Sequence, residues 1–324
     1  MTDQPAPGPA PEPAPDVATP PGRLARMWDS DVAYSFRTSP VAIVAGSVAL
    51  LIILAAVLAP LLAPHDPFNP ATLNLMDGFT PPMTPNEFTG NSFWLGTDDQ
   101  GRDIFSALLY GARISLFVGF SAVLFAMVLG VGLGLLAGWR GGWVDGLLMR
   151  IADVQLSFPS ILIALLIFGI ARGFIPPAYR ETMAIWVLIV AIGLSDWVQY
   201  ARVVRGATMV EKSKEYVQAA RVIGAHPAKI LLRHILPNVM GPVLVIATIG
   251  LALAIIAEAT LSFLGVGVPP TQPSLGTLIR IGQGFLFSGE WWILLFPSIT
   301  LLALALSVNL LGDWLRDALN PRLR

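Results

Sequence analysis

Six apolar runs, each close to the length that crosses a bilayer, constrain this chain more than any other feature. About 20 apolar residues cover roughly 30 Å of hydrocarbon. Residues 38–64 carry no charge, with an apolar heart at 41–62; residues 114–139 form a second uncharged run. Residues 154–171 form a third, short run that extends toward Ile151, and 182–195 a fourth that continues past Asp196 to Ala201. Residues 235–257 and 291–312 complete the set, the last opening on the Trp291–Trp292 pair that suits a membrane interface. Only 13% of the 324 residues are charged, about half the fraction usual in a water-soluble domain. The expected fold class is an all-α integral membrane protein with about six transmembrane helices.

Charge orients the spans. Fifteen Lys and Arg residues fall before the first run, between the second and third, between the fourth and fifth, and after the sixth, against five on the other side. The five are Arg102, Arg113, Arg172, Arg180 and Arg280. The positive-inside rule then puts both termini in the cytoplasm. Residues 1–27 hold an Ala-Pro alternation that cannot bury apolar surface, which predicts a disordered cytoplasmic tail. That stretch lacks the order of a signal peptide, and the run beginning at Val41 is long enough to stay as an anchor. The expected organisation is an N-terminal region with the first helix at 28–80, an external loop at 64–111, a transmembrane domain at 112–313, and a cytoplasmic tail at 314–324.

The residue inventory excludes several functions. A net charge of −1 leaves no basic excess for nucleic acid. There is no cysteine, so thiolate metal sites and thiol nucleophiles are absent. The expected topology puts His65 on the side opposite His226 and His234, so no metal centre or cofactor site is expected. No Gly-Lys dipeptide occurs, hence no phosphate-cradling loop of the nucleotide-hydrolysing kind. The chain is not expected to be an enzyme, and uphill transport would draw on a partner or an ion gradient.

Three features remain as candidates. Glu258 and Asp196 are the ionisable residues set deepest among the apolar runs, where a charge is costly and tends to mark function. Glu258 could line or gate a pathway, or simply hydrogen-bond a neighbouring helix. An ion-coupled secondary carrier built on Glu258 and Asp196 is the alternative reading for the whole chain. Gly130, Gly134 and Gly138 share one helical face, which permits close backbone approach to a second subunit or within the chain. The segment 202–236 holds all three lysines and reads as helix, break, helix. Gly224 suits the left-handed position past a helix end and Pro227 the first turn of the next. Val217, Ala220 and Ile223-Gly224 recur at helical spacing, and Ala219 with Ala220 leaves a low surface. Such a helix pair could dock on a cytoplasmic partner, whereas a plain loop of this length is uncommon.

Ala219, Ala220 and Gly224, followed by Leu236-Pro237, resemble the signature of binding-protein-dependent ABC transporter permeases. Gln218 stands where that pattern has an acidic residue, a role Glu215 can take, and His234 where it has isoleucine. Further stretches are similar to the C-type permease of the dipeptide and oligopeptide importers, which also include nickel and glutathione systems. They are the run from Leu95 to Asp103 with Tyr110-Gly-Ala-Arg113, Gly141-Gly-Trp-Val-Asp145 with Met149-Arg150, Leu261 to Gly267, and Gly312 to Pro321. The resemblance implies type I ABC importer architecture with 202–236 as the coupling segment. Its ATPase-coupling residues would be Glu215, Gln218, Ala219, Ala220, Gly224, Leu236 and Pro237. The implied partners are a second permease, two ATP-binding subunits, a periplasmic or lipid-anchored substrate-binding protein, and membrane lipid. The implied function is peptide translocation across the bacterial inner membrane by alternating access, powered by ATP hydrolysis in those partners.

Overall fold

The computed structural model describes residues 31–318, apart from Pro70 and Thr72. The Pro/Ala-rich segment 1–27 lies outside the described residues, as do 319–324. Helix α1 (Asp31–Thr38) ends against Ser39, whose hydroxyl accepts the Ala42 N–H, and Pro40 then opens α2 (Pro40–Val57). A short α3 (Ala59–Leu62) leads into a folded loop, and α4 (Ile104–Arg140) is a single helix of 37 residues. Next come α5 (Gly142–Leu156), α6 (Ser160–Phe174) and α7 (Arg180–Glu211). After them lie α8 (Glu215–Val222), α9 (Pro227–Ile230), a π turn at Leu231–Ile235, and α10 (Leu236–Phe263). The chain closes with α11 (Leu275–Gln283) and α12 (Trp291–Ala318).

Among the described residues, five helical stretches are long and apolar enough to cross a bilayer: Pro40–Val57, Ile104–Arg140, Pro177–Glu211, Pro227–Phe263 and Trp291–Ala318. The third expected run, 154–171, is not one helix. The chain turns by 99° between α5 and α6. Pro159 has no N–H to continue α5 and disfavours a helical Phe158 before it, so the run divides there. Counting α6 as a crossing gives six passes and places both described ends on the side of the bundle that carries α8, the basic end. Phe36 and Trp314, from α1 and α12, meet edge to face at 5.1 Å.

Two other boundaries move. The external loop expected to reach residue 111 stops at Asp103, because that carboxylate accepts the Phe105 and Ser106 N–H groups and starts α4 ten residues before the uncharged run. Arg113 had delimited that run, and it lies inside the helix. At its other end, α7 continues to Glu211, so the first ten residues of the segment 202–236 are helix in line with the span.

The centre of the bundle is the α4–α7 pair. A Cβ on Gly130 would stand 2.4 Å from the Trp197 carbonyl, on Gly134 2.6 Å from that of Ala201, and on Gly138 2.8 Å from that of Arg205. The three glycines thus serve packing within this chain, letting two backbones touch where lipid offers no hydrophobic drive. Helix α5 lies along the basic end of α7. Arg205 pairs with Asp145 through Nη2–Oδ2 at 2.7 Å, Arg202 pairs with Asp153, and the Gln155 amide donates to the Leu194 and Ser195 carbonyls. At the opposite, loop end, Arg102 and Asp98 form a buried ion pair at 2.6 Å, and Arg102 Nη1 also donates to the Pro270 carbonyl. Trp292 Nε1 donates to the Thr97 carbonyl. These contacts seat the loop 63–103 on the α10–α11 connection and on the start of α12.

Candidate functional site

The helix pair that follows α7 is anchored on one side and bare on the other. Val217, Ile230, Ile235 and Val239 are buried in one cluster with Ala126, Leu135, Tyr200 and Val204, from α4 and α7. Helix α8 ends in a complete Schellman turn. The Gly224 N–H reaches the Arg221 carbonyl (2.9 Å) and the Ala225 N–H the Ala220 carbonyl (3.0 Å), with Gly224 at φ +80°. Pro227 then opens α9. Glu211 receives both Lys214 Nζ, at 2.5 Å, and the Tyr216 hydroxyl, while Asn238 Nδ2 donates to that hydroxyl at 2.9 Å. The Glu211 bond holds the Lys214 ammonium above its usual range. Burial, then the same carboxylate, pushes the Tyr216 phenol up.

Glu215, Gln218 and Ala219 are exposed, together with Val222 (88%) and Ile223 (84%). Ala220 turns toward the bundle, Leu236 packs on the same cluster, and Pro237 is exposed in the first turn of α10. Of the seven residues singled out from the sequence, five lie on α8 and its closing turn, while Leu236 and Pro237 open α10. The sequence reading missed the joint that ties this turn to the bundle. The Arg221 guanidinium lies 4.5 Å from the centroid of the Trp139 ring, and Lys212 Nζ donates to the Trp139 carbonyl at 2.6 Å. Trp139 is the penultimate residue of α4, so α8 is fastened to the end of the longest helix. A tryptophan followed by Arg140 at the edge of an apolar run was the available signal.

The intramembrane carboxylates do not meet. Glu258 is fully buried; its two oxygens accept the Ser115 and Ser262 hydroxyls, each at 2.7 Å. Those serines in turn accept the Leu275 and Val268 N–H groups, so Glu258 closes a junction of α4, α10 and α11. Ser262 sits one helical turn after Glu258, a spacing that signals such a pairing. Asp196 instead borders a small gap with Gln199 and Tyr200. Among the described residues no three His, Cys, Asp or Glu side chains gather as a metal site; His65 Nδ1 lies 3.9 Å from Asp103.

Comparison with known proteins adds to this geometry. Residues 130–324 match the family model described as binding-protein-dependent transport system inner membrane component. Residues 27–82 match the N-terminal transmembrane domain of oligopeptide transport permease C. The chain is 37% identical over 277 residues to the dipeptide transport system permease protein of Haemophilus influenzae, covering 85% of this chain and 88% of that one. It is 37% identical to the oligopeptide transport system permease protein of Bacillus subtilis, covering 92% and 90%. It is also 37% identical to the glutathione transport system permease protein of Pectobacterium atrosepticum, covering 89% of each. In fold it is similar to a chain of the inward-facing MetNI methionine ABC transporter in its native crystal form. The TM-score there is 0.53 at 21% identity, over 67% of this chain and 98% of that one.

Proposed function

The chain belongs to the family of binding-protein-dependent transport system inner membrane components, and we propose that it is the C-type permease subunit of an ATP-driven peptide importer. The bare face of α8 carries the reading: a short helix, outside the bundle yet anchored to α4 and α7, presents Ala219, Val222 and Ile223 to a partner. The basic end is cytoplasmic, as the charge asymmetry requires, and both termini lie there. Of two ATP-binding subunits, one docks on this chain at the Glu215–Gly224 turn and Leu236-Pro237. A second permease completes the pathway. A periplasmic or lipid-anchored binding protein delivers peptide to the loop end and makes most of the substrate choice. Glu258 stays a candidate pathway or gate residue in the second-permease assembly, acting from behind its serine partners.

The test is reconstitution with the partner permease, the ATPase subunits and the binding protein. Ala219→Glu and Gly224→Glu are expected to abolish uptake and substrate-stimulated ATP hydrolysis while the subunit still inserts. Uptake and stimulation that both survive in these variants would show that α8 is not the coupling helix.

A further inference from the structure

Three of the five arginines at the loop end converge on one cavity. Arg172 from the last turn of α6, Arg180 from the start of α7 and Arg280 from the last turn of α11 line a space of about 150 Å³. Residues of the turn from Gly265 to Pro270 and Glu181 also line it. Among the described residues none of the three arginines is in an ion pair, and the buried Nε of Arg280 has no hydrogen-bond partner. Arg180 Nε spends its proton on the Ile175 carbonyl, leaving its two terminal nitrogens for other acceptors. Arg180 also stands where the helix dipole disfavours a cation. This is the side of the membrane where positive residues are ordinarily scarce. Three arginines against the single carboxylate of Glu181 leave the lining with an excess of positive charge, a repulsion that a bound anion relieves.

A planar guanidinium fork matches the two oxygens of a carboxylate. The volume decides how much of a ligand enters. Pockets that enclose a whole small molecule run to about 300–1,000 Å³, so this one takes a single end. Phe168 and Val268 supply apolar wall beside the charges, and Glu181 stands where it can meet a cationic group.

We propose that this cavity is an oxyanion subsite that receives the free carboxylate of a short peptide at the loop end, an inference that rests on the peptide-importer reading. The complete transporter is assayed in vesicles of zwitterionic lipid, with a short peptide as the free acid and as its C-terminal amide. The binding protein is the same throughout, so its own preference cancels when variants are compared with wild type. Arg280→Gln raises the half-saturating concentration of the free acid about tenfold, as expected for one lost charge-assisted hydrogen bond. Uptake of the amide and basal ATP hydrolysis stay unchanged. Arg172→Gln, at an exposed position, shifts acid uptake in the same direction, and Arg280→Lys recovers part of the loss. An acid-to-amide ratio unchanged in both Gln variants overturns the subsite while leaving the importer intact. A difference that disappears once anionic lipid is added shows that a lipid phosphate fills the cavity, and overturns it too. If wild type takes up neither peptide, the importer reading falls and the subsite with it.

Discussion

Gly130→Ala tests the central helix pair most directly. A methyl group there would lie 2.4 Å from the Trp197 carbonyl oxygen and 2.6 Å from the Tyr200 Cβ. Non-bonded carbon contacts settle near 3.5–4.0 Å, so α4 and α7 must part by about 1 Å at that level. The nearest obstacle is backbone, which cannot rotate aside, and this places the loss near the upper part of the 1–3 kcal/mol usual for overpacking, about 3 kcal/mol. Replacing Gly by Ala in a helix recovers about 1 kcal/mol, for a net loss of about 2 kcal/mol. Gly132 is the internal control: it lies in the same helix, and a Cβ there meets nothing within 4 Å. Gly132→Ala keeps the propensity gain without the clash, so the two variants differ by about 3 kcal/mol. At roughly 2–4 °C per kcal/mol, their apparent unfolding midpoints in detergent are expected to stand at least about 6 °C apart, with Gly130→Ala the lower. Midpoints that agree within about 1 °C would mean that α4 and α7 have room to spare and that the glycine face is not what sets their distance.

Trp139→Leu removes the ring that Arg221 covers, a contact of about 0.5–1 kcal/mol, so peptide taken up per ATP hydrolysed is expected to fall about two- to fivefold, with Trp139→Phe close to wild type. Arg102→Ala leaves Asp98 buried without its partner, at a cost of about 3–5 kcal/mol; proteolysis within 63–103 should accelerate, and Asp98→Asn in the same chain should slow it again. Burial, then the neighbouring Asp98, holds the Asp99 carboxyl above its usual range. A group raised in this way binds its proton more tightly in the folded chain. Its contribution is therefore present at low pH and lost as pH climbs from the ordinary carboxylate range through the raised value. The midpoint of wild type relative to Asp99→Asn should accordingly drop as pH rises above the ordinary carboxylate range, and a constant difference would refute it.

Much of the bundle was legible because hydrocarbon imposes length and excludes charge. Residues 41–62 and 291–312 fall within α2–α3 and α12 for that reason alone. Gly224 and Pro227 were legible because a positive φ and a missing N–H are local demands that few other residues meet. Boundaries set by single side chains were not. Asp103 extends α4 by ten residues through two backbone hydrogen bonds, and Pro159 cuts a run whose apolar count was intact. The glycine face was visible, but what it packs against was not, because spacing states that a close approach is possible without naming the other backbone. The Glu258–Ser115 bond joins residues 143 apart in sequence, a pairing that only the fold creates, and the same holds for Trp139 under Arg221.

The division at Pro159 also bears on how the chain enters a membrane. Helix α6 has 15 residues and is about 22 Å long at 1.5 Å per residue, some 8 Å short of an average hydrocarbon core. On its own it would leave its ends in lipid or thin the bilayer around it. Helix α7, with 32 residues, exceeds the same thickness, and Phe168 of α6 is buried in one cluster with Leu188 and Ile192 of α7. The two are therefore competent to insert as a hairpin rather than one after the other.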